Sequence, residues 1–128
     1  NEGCRREVAA GRRTLFFMPH CGKGMYAALL RANWGERLGG VVIVGNSFAA
    51  YVEAAGMEAG EGRDDAALAT IVAAANVVRE EPLSPPGADP LFHAFNNTSL
   101  MWWPAEAAAA LPPLPPEADS ATRDADYV

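Results

Sequence analysis

Lysine, histidine and cysteine are all scarce in this chain: one Lys, two His and two Cys in 128 residues. Cys4 and Cys21 show no Cys-x-x-Cys spacing, and with only His20 and His93 to join them a zinc site would need scattered ligands. No apolar run approaches the roughly 18 residues of a membrane span. The first thirteen residues hold four Arg and no apolar h-region, which argues against a signal peptide. These absences point to an intracellular chain, in the cytoplasm or nucleus, whose two thiols are expected to stay free. An initiator Met is also missing, since the chain opens on Asn1; a piece of a longer protein, or a start lost from the gene, is expected.

What is present suits one soluble domain. Half the residues are hydrophobic and 20% are charged, a globular balance rather than a disordered one. The net charge is −6, yet seven of the ten basic residues (Arg5, Arg6, Arg12, Arg13, Lys23, Arg31 and Arg37) lie in the front third. Glu2, Glu7 and Glu36 are interleaved with them and the pI is near 4.8, so a solvated surface is expected and nucleic-acid binding is not.

The organising stretch is residues 14–48. Leu15-Phe16-Phe17-Met18 is a continuous apolar run, as in a strand buried on both faces, and Pro19 ends it. Met25, Tyr26, Leu29, Leu30 and Trp34 then fall at helical spacing, and Gly35, Gly39 and Gly40 turn the chain into a second strand, Val41 to Val44. This is the pattern of a βαβ unit, and it predicts an α/β fold with a partial Rossmann-like parallel sheet flanked by helices. Residues 1–13 read as a lead-in loop. Ser47 is expected to cap a short helix ending near Gly56, and Asp64 or Asp65 another through Leu68 and Ile71. Strands are expected within Asn76 to Pro82 and in the aromatic segment before Pro104, giving a domain over 14–104. Residues 105–128 change to Ala, Pro and acidic residues and are expected to be a disordered tail, dispensable for folding.

Ligands bind open α/β sheets at the carboxyl edge of the strands, which directs attention to His20, Cys21, Asn46 and Ser47. Three chemistries compete there. His20 and Cys21 follow a strand, where His exchanges protons and Cys beside a helix N-terminus can have a lowered pKa. Gly45-Asn46-Ser47-Phe48-Ala49 resembles a nucleophile elbow, with Asp89 and His93 following in triad order, although both lie in a short Pro-rich stretch and N-capping alone explains Ser47. Alternatively, Gly22-Lys23-Gly24 and Gly45-Asn46-Ser47 place backbone N–H groups at two helix starts beside the lysine, an arrangement suited to a small anion but lacking Walker spacing. Asn96 and Asn97 are candidates to reach the same edge from the aromatic segment. No metal is implied, and no cofactor or protein partner is named by these residues.

Thr14 to Cys21, Arg31-Ala32-Asn33-Trp34, Val44 to Phe48 with Tyr51, and Ala94 to Leu100 with Trp102 and Pro104 resemble the sensitivity-to-red-light-reduced (SRR-like) family, over about residues 13–104. Two positions depart from the family's usual Phe-Asn-Asp-Thr-Ser-Leu-His-Trp motif: Asn97 stands for Asp and Met101 for His. The resemblance also implies an upstream half with a Gly-rich turn, absent from this chain. It further implies regulatory roles in light signalling, circadian timing and heme (tetrapyrrole) synthesis, and it supplies no established reaction. The leading expectation is therefore a non-enzymatic regulator; the rival is an enzyme or small-ligand sensor working at the strand edge.

Overall fold

A computed structural model describes residues 6–9, 11–57, 65–83 and 97–114. Its elements are β1 (Thr14–Met18), α1 (Lys23–Ala32), a 3-10 helix (Gly35–Gly40), β2 (Val41–Asn46), α2 (Phe48–Met57), α3 (Ala66–Ala75), β3 (Arg79–Pro82), β4 (Thr98–Trp102) and α4 (Ala105–Ala109).

The βαβ unit forms as its sequence pattern predicts. β1 and β2 are parallel neighbours, with Thr14 opposite Val41 and Met18 opposite Gly45, and α1 connects them. Tyr26, Leu29 and Leu30 of α1 are fully buried, because the helical period of about 3.6 residues brings them to the face that meets the sheet. Gly35, at φ +84, lets the chain leave α1 by a left-handed turn that other residues resist.

Two expectations about the sheet are corrected. The strand order is β1-β2-β4-β3, and β4 runs antiparallel to both β2 and β3, so the sheet is mixed and only its first pair is parallel. Successive antiparallel strands need no crossover helix between them. Nor is β1 buried on both faces. Leu15 and Phe17 are 62% and 67% exposed, and burial alternates along β2, so the helices cover only one face of the strands.

The covered face packs Val41, Ile43 and Met101 against Leu29, Leu30 and Ile71. Each large apolar side chain buried there stabilises the fold by about 1.5–3 kcal/mol. Phe48 is the hub of an aromatic cluster, with ring centroids 5.6 Å from Tyr26, 6.4 Å from Tyr51 and 6.0 Å from Trp103. The Trp103 indole N–H donates to Ala74 O at 3.0 Å, tying the end of β4 to α3.

Both ends of the described chain are docked. In the lead-in segment Val8 is buried, and its N–H donates to Asn33 Oδ1 at 2.7 Å, while Asn33 Nδ2 donates to Arg6 O at 2.8 Å. The expectation of a disordered stretch from 105 onward fails for its first ten residues. They form α4 and a following segment, with Ala108 fully buried, Leu111 packed on the core and Trp34 Nε1 donating to Pro112 O at 2.9 Å. The alanine run is apolar enough to pack although too uniform to show a period. Residues 115–128 lie outside the described part.

Candidate functional site

At the carboxyl ends of β1 and β2 a cleft of about 380 Å3 is lined by His20, Asn46, Ser47, Tyr51, Asn97 and Thr98, with Ala50 and Ala54 from α2. The parallel pairing of β1 and β2 brings their following turns to one edge. β4 begins beside it, because Asn46 pairs with Thr98 and the Ser47 N–H donates to Asn97 O at 2.8 Å.

Asn46 fastens the two turns. Its Oδ1 accepts from the His20 N–H at 2.7 Å, and its Nδ2 donates to Cys21 O at 2.9 Å and to the Tyr51 hydroxyl at 3.3 Å. These contacts hold His20 at φ +64, a left-handed conformation uncommon outside glycine, and leave the residue exposed at the rim. Behind Asn46 the Tyr26 hydroxyl donates to Met18 O and accepts from the Asn46 N–H at 2.9 Å. A Cβ at Gly45 would sit 2.6 Å from that hydroxyl, so glycine is required there by the fold rather than by a ligand.

Ser47 caps α2: its Oγ accepts from the Ala50 N–H at 3.2 Å. The same hydroxyl donates to the carboxylate of Glu80, which also accepts from Ala49 N at 3.0 Å and Ser99 Oγ at 2.9 Å. Glu80 thus sits at the start of α2 as an anion supplied by the chain itself. Nothing in the local sequence marks it. Only the β3–β4 pairing, which a sequence cannot fix, brings it to Ser47 and Ser99.

Lys23 and Cys21 stand outside the lining of the cleft. Lys23 Nζ donates to Asp65, the residue that caps α3 through Leu68 N at 3.0 Å. Burial alone would raise the Asp65 carboxyl; the Lys23 hydrogen bond, backbone N–H groups and the Lys23 charge outweigh it and hold the pKa below the usual carboxylate value. Burial pushes the Cys21 thiol up, opposite to the lowered pKa expected beside a helix start. Asn96, Asp89 and His93 lie outside the described residues. Among the described residues no group of three or more His, Cys, Asp or Glu could hold a metal ion, and no helix is long and apolar enough to cross a membrane.

The model of the SRR1 domain matches residues 1–102, a span that includes this edge. The chain belongs to the SRR1 domain family. It is 37% identical over 113 residues to Protein SENSITIVITY TO RED LIGHT REDUCED 1 of Arabidopsis thaliana, covering 88% of this chain and 39% of the plant protein. It is 49% identical over 49 residues to the SRR1-like protein of Mus musculus, covering 38% of this chain and 19% of the mouse protein. The chain therefore spans about two fifths of one relative and one fifth of the other. No solved structure matches it. Within the SRR1 family frame, the Met-Pro-His-Cys and Gly-Asn-Ser-Phe segments are the two turns that Asn46 joins. Met101, which stands where the family motif usually has His, is fully buried in the core.

Proposed function

We propose that this chain is a regulatory, non-catalytic SRR1 domain of light signalling, acting in the cytoplasm or nucleus, with the His20–Asn46–Asn97 edge as its recognition surface. Family membership and the red-light sensitivity in the plant relative's name carry the signalling half of this reading. The non-catalytic half rests on one arrangement: the Ser47 hydroxyl is held by Glu80 and the α2 backbone as a helix cap. Roles in circadian timing and in tetrapyrrole regulation belong to the same proposal and rest on the family alone.

The anionic-ligand version of the site loses two of its three supports, since Glu80 fills the α2 start and Lys23 is paired with Asp65. A ligand for this cleft is better sought among neutral molecules that exchange hydrogen bonds with His20 and Asn97 and lay an apolar edge on Ala50, Ala54 and Tyr51.

The test replaces the matching part of the Arabidopsis relative with residues 6–114 of this chain, in a plant lacking that relative. Restored red-light responses, retained in Ser47→Ala, are expected. A chimera that accumulates without restoring the response would refute the signalling role. Hydrolysis of an activated ester by the purified chain, abolished by Ser47→Ala, would refute the non-catalytic one.

A further inference from the structure

We propose that a second cleft, at the opposite end of the sheet, binds a small phosphate-bearing molecule of about mononucleotide size. It lies where β1 and β2 begin, between the lead-in segment, the 3-10 helix and the start of α4, and has a volume of about 490 Å3. Arg12, Arg13 and Arg37 line it, with Glu36 and the backbone of Gly39 and Gly40. That volume falls in the range of small-molecule sites, roughly 300–1,000 Å3.

Charge is what distinguishes this cleft. Arg37 is paired with Glu7 at 2.8 Å, but among the described residues neither Arg12 nor Arg13 has an ion-pair partner. Arg12 and Arg13 both line the cleft, so an anion bound there meets two positive charges. Three Arg against Glu7 and Glu36 leave a positive cleft on a chain whose net charge is −6. Guanidinium forks match carboxylate and phosphate oxygens alike, and the phosphate charge of about −1.5 to −2 suits two arginines better than a single carboxylate or a halide does.

The backbone that carries Arg12 and Arg13 is also held in place. Buried Asn33 fastens the backbone at Arg6 and Val8, and the Arg12 N–H donates to Ala9 O at 3.2 Å across a turn that passes through Gly11 at φ +75. This turn rests on the 3-10 helix so closely that a Cβ at Gly40 would come within 2.5 Å of Arg12 O. A turn fixed in this way loses little backbone freedom on binding, so the ordering cost is confined to the arginine side chains.

Titration calorimetry of the whole chain at low salt, with inorganic phosphate, pyrophosphate and ATP as probes, tests the proposal. Saturable binding of pyrophosphate and ATP is expected, weakened about ten-fold or more in Arg12→Gln/Arg13→Gln and unchanged in Arg79→Gln, an exposed arginine on β3. Where the double Gln variant shifts the unfolding midpoint, Arg12→Lys/Arg13→Lys is read instead; it keeps the charge, loses the forks and is expected to weaken ATP several-fold. No saturable binding of any probe, or equal loss in Arg79→Gln, overturns the proposal. So does tighter binding of a single-stranded oligonucleotide than of ATP, which would mark a nucleic-acid surface. None of these outcomes depends on the cleft at the other end of the sheet.

Discussion

The Tyr26 hydroxyl reaches between β1 and β2 to Met18 O and the Asn46 N–H, and its position is why residue 45 carries no side chain. Gly45→Ala is expected to destabilise the fold by about 1–3 kcal/mol through overpacking. Tyr26→Phe takes the partner from the half-buried Asn46 N–H and leaves Met18 O with only the Cys21 N–H at 3.4 Å, and costs about 1 kcal/mol. Urea unfolding of the double variant should show less than the sum, because the clashing atom is gone; full additivity would mean that the two do not touch. Asp65 offers a pH test. Its folded pKa is depressed, so its contribution is complete above the unfolded value, about 3.9, and is lost as pH falls from there through the folded value. Asp65→Ala should cost about 1 kcal/mol at pH 7, the worth of an N-cap, and the gap to wild type should narrow below pH 4; a gap constant down to pH 2.5 would contradict the assignment. At this scale the placement of His20, Asn46 and Ser47 was legible because polar residues after apolar runs surface at strand ends, and Asn97 reaches the same edge from just before β4. Glu80 was not, since its role depends on a partner strand remote in sequence.

Among elements, α1 and the β1–β2 pair were legible because period and punctuation agree, whereas α4 was hidden by its composition. An alanine run shows no contrast between faces, and only contact with the 3-10 helix makes one face inner: a Cβ at Gly39 would lie 3.3 Å from Ala105 Cα. Chains ending after Pro104 and after Leu114 separate the two readings. Loss of α4 removes buried Ala108, the packing of Leu111 and the Trp34–Pro112 hydrogen bond, together worth about 2–3 kcal/mol. The shorter chain should therefore unfold at clearly lower urea than the longer one. Equal midpoints would show that the tail is dispensable from residue 105, as its composition suggested. The mixed sheet was illegible for a related reason: β3 holds two glutamates and a proline, and no apolar alternation fixes its register or direction.

Among the described residues the helices leave one sheet face open; its β1, β2 and β4 part is apolar, and Arg79 and Glu81 of β3 border it. Leu15 and Phe17 of β1 stand exposed beside Val42 and Val44 of β2, which in turn neighbour Trp102 and Leu100 of β4. β1 is also an edge strand, and its five residues, Thr14 to Met18, carry no charge to discourage another chain from pairing with it. An uncharged edge adjoining an apolar face promotes association in water whatever else the protein does. Sedimentation velocity at rising concentration should therefore show the chain self-associating, and Leu15→Lys/Phe17→Lys should remain monomeric over the same range. Because both side chains are more than half exposed, the double substitution removes little buried area and should move stability by about 0.5 kcal/mol or less per site. A large drop in the unfolding midpoint would mean that this face is covered in solution. A wild-type chain that stays monomeric throughout would mean that the exposed apolar face does not drive association.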